Sequence, residues 1–227
     1  MSRSADDVAT RYEEELARGL VVSGEGRDFF ARGRVEHLAR CLREPAFPVR
    51  SVLDFGCGTG DTCPLLREIL GAERVTGTDS SEESLAAARE HHAGDAIGFV
   101  TEAELARCDG FDLVYSNGTF HHIPPDERNG VVRGIHSRLR PGGLFALFEN
   151  NPWNPGTRFV MSRIPFDRDA VVLAAPEAKG LLRSAGFEIV RNDFLFVFPR
   201  SLRWLRRLEA LLSPYPIGAQ YLVLGRR

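Results

Sequence analysis

From Arg50 onward the chain alternates short apolar runs, turn signals and amphipathic stretches of helical period. That alternation commits it to parallel strands, because a parallel partner is reached only through a crossover, and a helix is the usual one. The apolar runs are SVLDF, RVTGTD, AIGFV, FDLVYS, LFALFE and GFEIVRNDFLFVF, with QYLVLGRR last. They predict an α/β fold with a seven-stranded, mostly parallel sheet flanked by helices.

A chain of 227 residues that is 43% hydrophobic is large enough for one substantial core. A single domain is expected, with N-terminal helices over 1–48, a ligand-binding core over 49–150, and a substrate-side loop plus the last sheet elements over 151–227. The stretches VATRYEEELARGL and GRDFFARGRVEHLARCLRE have helical period, the second with Phe30, Val35, Leu38 and Leu42 on one stripe. These helices are placed to act as a lid. The segment NPWNPGTRFVMSRIPFDRD, before the helix APEAKGLLRSAG, is too long for a plain connection and reads as functional. Near the end, RSLRWLRRLEALLSP reads as an amphipathic helix with Trp204, Leu205, Leu208, Leu211 and Leu212 on one side and Arg203, Arg206 and Arg207 on the other. Its apolar side is expected in the core or at a homodimer contact rather than on a membrane.

A formal net charge of -2 provides no global basic surface, so nucleic acid is not the expected partner and a small molecule is. Cys41, Cys57, Cys63 and Cys108 contain no CxxC pair and have no histidine at zinc-finger spacing. Neither a disulfide framework nor a structural zinc is expected. Acids stand near the start where a signal peptide would be apolar, and no segment is long and apolar enough to span a bilayer. The expected location is the cytoplasm.

The run VLDFGCGTG contains the chemistry. An apolar strand ends at Asp54, glycines follow at Gly56, Gly58 and Gly60, and a helix begins at about Asp61. Glycines there allow positive φ and close approach of a ligand, and a helix start offers N–H groups. Asp79 ends the second strand, where a carboxylate can accept both hydroxyls of a ribose. A dinucleotide fingerprint is spaced G-x-G-x-x-G, whereas this loop is G-x-G-x-G and is preceded by an acid that would repel a pyrophosphate. Asp54 suits instead an ammonium or a sulfonium. An NAD-dependent oxidoreductase is disfavoured on these grounds.

In NGTFHHIPP, His121 and His122 follow the fourth strand, at the end where ligands bind in open α/β sheets. Adjacent side chains point different ways and no third ligand lies at useful spacing, so no metal is expected. A helix is expected to start near Pro125. With an unperturbed pKa of about 6.5, an imidazole suits a general base at neutral pH, or either ring can pack under a ligand.

Together VLDFGCGTG, VTGTDSS, FDLVYSNGTFHHI and LRPGGLFALFE, in that order, resemble the motifs of the class I S-adenosylmethionine-dependent methyltransferases, small-molecule type. The resemblance covers roughly residues 50 to 150 and implies a Rossmann-like sheet and S-adenosylmethionine as cofactor. It implies that Asp54, Gly56, Cys57, Gly58 and Gly60 line the methionine part, that Asp79 binds the ribose, and that Ser80 sits against the adenine. Glu102 occupies the adenine-contacting turn, where many relatives carry aspartate, and Asn117 is the residue whose backbone faces the methionine amine. Some O-methyltransferases of this family carry paired histidines here and an acid after the fifth strand, which is Glu149. The expected activity is methyl transfer to a hydroxyl oxygen by in-line displacement, with His121 or His122 as base and Glu149 as its partner or a substrate contact. Methyl transfer to nitrogen or carbon by positioning alone, and a non-catalytic cofactor-binding module, are the alternatives. Substrate contacts are expected from Asn150, Trp153 and Arg158 in the loop and from Tyr12 and Phe30 in the N-terminal helices, with Phe29 and Arg34 close by.

Overall fold

The computed structural model describes residues 24–43, 46–163 and 170–227. The first predicted helix, with Tyr12, lies outside them. Seven strands form one sheet: β1 (Ser51–Phe55), β2 (Arg74–Thr78), β3 (Ile97–Val100), β4 (Phe111–Asn117), β5 (Leu139–Asn150), β6 (Glu188–Leu195) and β7 (Gln220–Arg226). Their order is β3-β2-β1-β4-β5-β7-β6. Strands β1 to β5 pair in parallel, while β7 runs antiparallel to both β5 and β6. The chain moves outward from β1 to β3 and then returns across β1 to β4. A crevice therefore opens at the carboxyl ends of β1 and β4, where such sheets bind ligands.

Alternation along the central strands supplies both halves of the core. Val52, Leu113, Tyr115, Leu144, Ala146 and Phe148 face α1 (Arg27–Cys41) and α2 (Thr62–Leu70) through Val35, Leu38 and Leu66. Leu53, Val114, Phe145 and Leu147 face the other way, onto α5 (Arg128–Arg138) and α7 (Ala175–Ser184) through Val132, Ile135, Ala178 and Leu182. Between these lie α3 (Glu82–His92), the one-turn α4 (Glu102–Leu105) and α6 (Pro155–Met161), with the one-turn α8 (Glu209–Leu212) near the end.

Local sequence sets the helix ends. Ser81 caps α3 by accepting from the N–H of Ser84 at 3.1 Å. Gly71, at φ +70°, ends α2 in the left-handed region. Asn154 caps α6 by accepting from the N–H of Thr157 at 3.0 Å, with Pro155 as the first helical residue.

Two expectations are corrected. The helix after the histidines starts at Arg128, because residues 124–127 first form a turn closed by the N–H of Glu127 on the carbonyl of Pro124 at 2.9 Å. The segment around Trp204 is a 3-10 stretch, Arg200–Leu208, leading into α8, and none of its residues is buried. Trp204 is 63% exposed. Arg206 takes the inward position instead, with its guanidinium 4.4 Å over the Phe29 ring and 2.9 Å from Glu25.

Candidate active site

At the end of β1 the three loop glycines have φ of +75°, +54° and +82°, and they do different work. A Cβ on Gly56 would overlap the side chain of Thr119, and one on Gly60 would lie 2.8 Å from the Phe99 ring. Those two glycines are needed for packing. A Cβ on Gly58 would meet nothing within 4 Å, so Gly58 borders the open crevice. Its N–H donates to Oδ2 of Asp79 at 2.8 Å, and Oδ1 of Asp79 accepts from the N–H of Ser81 at 2.9 Å. A carboxylate offers about four lone-pair sites, so about two remain for hydroxyls brought by a ligand. The capping of α3 belongs to Ser81, which leaves Asp79 to hold the loop and face the crevice.

Asp54, one residue before the end of β1, is buried, and the Cys63 thiol donates to it at 3.5 Å. Burial pushes its pKa up to about 7, with Asp79 adding to the rise and Cys63 and Arg34 opposing it. Burial, followed by Asp54 and Asp79, also pushes the Cys57 thiol up, so it stays protonated. At the end of β4 the side-chain oxygen of Asn117 is buried without a hydrogen-bond partner, as is the hydroxyl of Ser116. Two buried acceptors, at Asp54 and Asn117, thus stand beside an open-sided glycine loop. This donor-poor lining fits a cationic amino-acid group.

A pH dependence follows. An ammonium stabilises ionised Asp54, so its binding releases a proton below about pH 7. Adenosylhomocysteine affinity is expected to fall as pH drops from 7 toward 5, approaching about tenfold per unit. Calorimetry across that range should show it, with a flatter profile in Asp54→Asn. The ligand-free protein has the opposite trend: the unfolded carboxyl ionises near 3.8 and the folded one near 7, so this group's contribution to stability is lost between those values as pH rises.

The histidines lie on a 3-10 turn, Phe120–His122. Glu149, near the end of β5, accepts from the N–H of Phe120 on Oε1 at 2.7 Å and from Nδ1–H of His121 on Oε2 at 2.6 Å. His121 is 4% exposed and Glu149 1%. With Nδ1 donating, the lone pair lies on Nε2. The carbonyl of His121 accepts from the N–H of Val171 at 3.0 Å, and Arg128 donates to the carbonyl of Val171 at 2.6 Å, which fixes the turn from behind. His122 is exposed, its ring 4.1 Å from that of His121. The carboxylate thus distinguishes two histidines that are equivalent in sequence.

The remaining expected residues divide. Asn150 accepts from Gln220 at 3.2 Å, Gln220 accepts from Arg34 at 3.0 Å, and Arg34 donates through Nε to the Tyr115 hydroxyl at 3.1 Å. This chain of contacts joins β5, β7, α1 and β4 along one side of the crevice. Phe30 packs edge-on against Phe29 at 5.3 Å and Phe196 at 4.9 Å, which explains it by helix packing. Trp153 is 52% exposed, and Arg158, Ser80 and Glu102 are exposed. The α4 capping box uses Thr101 and Glu104, not Glu102. Asn151 is a structural residue, donating to the carbonyls of Pro216 at 3.1 Å and Gly218 at 2.8 Å. Tyr115 and Thr119 lie inside FDLVYSNGTFHHI but carry no chemical signal of their own there, and Gln220 lies outside the motifs. Arg34 has a signal, as a cation within the apolar stripe of α1.

Residues 53–145 match the Methyltransf_12 family, a methyltransferase domain. The trans-aconitate 2-methyltransferase of Delftia acidovorans is 30% identical over 139 residues, which are 60% of this chain and 51% of that protein. The carboxy-S-adenosyl-L-methionine synthase of Methylococcus capsulatus is 31% identical over 154 residues, 63% of this chain and 60% of the relative. This chain thus spans roughly half to three-fifths of these two relatives' length. An S-adenosylmethionine-dependent methyltransferase from Mesorhizobium loti superposes with a TM-score of 0.59 at 24% identity, covering 83% of this chain and 96% of that one. Sheet order, motif order and these matches define a class I S-adenosylmethionine-dependent methyltransferase domain. The Methyltransf_12 match is confined to residues 53–145, and the cofactor of the class is S-adenosylmethionine.

Proposed function

We propose that this protein transfers the methyl group of S-adenosylmethionine to an oxygen of a small-molecule acceptor, with His121 as the base and Glu149 as its positioning residue. The sulfonium supplies an activated methyl carbon and a neutral leaving group, so no general acid is required. Asp79 would hold the ribose hydroxyls, Asp54 and Asn117 the cationic amino-acid part, and Gly58 the close approach. Alignment supplies most of the barrier reduction, on the order of 7–11 kcal/mol. Proton removal adds about 10²–10⁴-fold.

The observation that carries the reading is the buried His121–Glu149 pair at 2.6 Å, at the carboxyl end of β4 and β5. A pair inside the domain and next to the crevice orients one lone pair, which is what a hydroxyl acceptor needs. The cofactor half is tested by calorimetry with adenosylhomocysteine. Micromolar binding in the wild type, weakened by about 1.5–3 kcal/mol in Asp79→Ala, is expected for the loss of hydrogen bonds to a charged group. No binding in the wild type would sink the reading.

A second reading comes from the Delftia relative, named for trans-aconitate. An acceptor carboxylate is already deprotonated, and its methylation needs positioning alone. Removing the His121 imidazole separates the two: a rate in His121→Ala that is unchanged across pH 6–9 selects the carboxylate, and a rate that recovers as pH rises selects the hydroxyl.

A further inference from the structure

The face of α1 that meets the sheet edge contains a second cluster, remote in sequence from every motif above. His37 and Cys41 are four residues apart on α1, hence on one face, and they meet Asp193 of the edge strand β6. One ligand atom from each, an imidazole nitrogen, a thiol sulfur and a carboxylate oxygen, all lie within 4.8 Å of one another. Asp193 is buried at 4% exposure, and its Oδ2 is crowded. Nε2 of His37 at 2.7 Å, Nε of Arg191 at 2.5 Å and the Cys41 thiol at 3.9 Å all converge on that one oxygen. A single carboxylate oxygen has about two lone-pair sites, so three donors exceed its capacity.

We propose that His37, Cys41 and Asp193 form a divalent-metal site, suited to zinc, that ties α1 to the edge of the sheet. One nitrogen, one sulfur and one oxygen ligand are a zinc donor set, and tetrahedral zinc with bonds of about 2.0–2.3 Å places its ligands about 3.3–3.8 Å apart. Cys41, 3.9 Å from Asp193, lies just beyond that spacing, and the His37–Asp193 pair, at 2.7 Å, has to open by less than 1 Å. Thiolate and carboxylate together neutralise the dication. Cys41 must ionise to ligate, so metal binding displaces its proton to solvent. Two cations stand in the way and both can move. Arg191 is half exposed and turns to water, and Arg40, exposed and 3.4 Å from Nδ1 of His37, leaves that nitrogen to take the ring proton. The fourth position is open to water. Because Arg34 is three residues before His37 on α1, a bound ion would also fix the Arg34 contacts to Tyr115 and Gln220 beside the crevice.

Tag-free protein is titrated with cobalt chloride, followed by displacement with zinc chloride. The expected result is one equivalent of cobalt with a thiolate-to-cobalt charge-transfer band, displacement by zinc, and a melting temperature raised by several degrees. Cys41→Ser and His37→Ala should each lower zinc affinity at least tenfold without changing the circular dichroism spectrum or adenosylhomocysteine binding. Arg191→Ala should bind zinc more tightly, because the competing cation is gone. No metal uptake at micromolar concentration overturns the proposal. So does a charge-transfer band that persists in Cys41→Ser, since the thiolate would then be Cys57, Cys63 or Cys108.

Discussion

Glu149→Gln is expected to lower the chemical step by about 10²–10⁴-fold at neutral pH, the full contribution of a general base. The variant is nearly isosteric, so the effect comes from hydrogen-bond logic. The site presents two donors to this side chain, the N–H of Phe120 and Nδ1–H of His121. Glutamine offers one acceptor oxygen and one NH₂ group, so it satisfies both partners only if Nδ1 becomes an acceptor. The imidazole proton then moves to Nε2, and the lone pair that the proposed base would use is lost. Single-turnover rates across pH 6–9 measure this. A structural role alone would leave the pH profile unchanged and lower only the melting temperature. Glu149→Ala should add a stability loss of about 1–3 kcal/mol per orphaned donor, because Phe120 and His121 are buried. Unaltered turnover and profile in Glu149→Gln would remove His121 from the chemistry.

The glycine loop yields the second large effect, through a contrast between neighbours. Gly56→Ala is expected to destabilise the fold by about 2–5 kcal/mol, adding about 1–2 kcal/mol for a left-handed alanine to about 1–3 kcal/mol for overpacking. The overpacking is against Thr119, whose Cβ itself would lie 2.9 Å from the new methyl. A loss of that size is a large share of ordinary domain stability. Gly58→Ala, also at positive φ, meets no atom within 4 Å and should cost only the conformational part, about 1–2 kcal/mol. Its methyl instead occupies the crevice beside Asp79. Denaturant unfolding and calorimetry on both variants should therefore diverge: Gly56→Ala loses stability, whereas Gly58→Ala stays folded and loses adenosylhomocysteine binding. Equal behaviour in the two assays would mean that the open side of the loop is not the ligand side.

The three glycines look alike in VLDFGCGTG, and only their neighbours tell them apart. Thr119 and Phe99 come from 63 and 39 positions further along the chain, measured from Gly56 and Gly60 respectively. Asp79 is similar. Its place at a strand end is legible in RVTGTDSS, while its grip on the N–H of Gly58 exists only after β2 pairs with β1. RSLRWLRRLEALL folds as a 3-10 stretch leading into α8 with no buried residue, not as a helix with a covered apolar side. Periodicity reports which side chains share a face, and Arg206 with Phe29 and Glu25 decided what that face meets.

The sequence by itself determined the seven strands, their mostly parallel pairing and the ligand end of the sheet, whereas the strand order and the antiparallel β7 came only with the structure. The former follow from period, turn residues and the handedness of crossovers, all of which are local or nearly so. Tertiary structure alone decided which histidine is the oriented one. His121 and His122 are adjacent and chemically identical, and Glu149 selects between them from 28 residues away by approaching one ring to 2.6 Å. It also brought Asp193 to His37 and Cys41 across 156 and 152 residues of chain, a meeting that no spacing rule anticipates. Contacts of that kind depend on the register of paired strands and the seating of one helix on a sheet edge, and neither is encoded within any single segment.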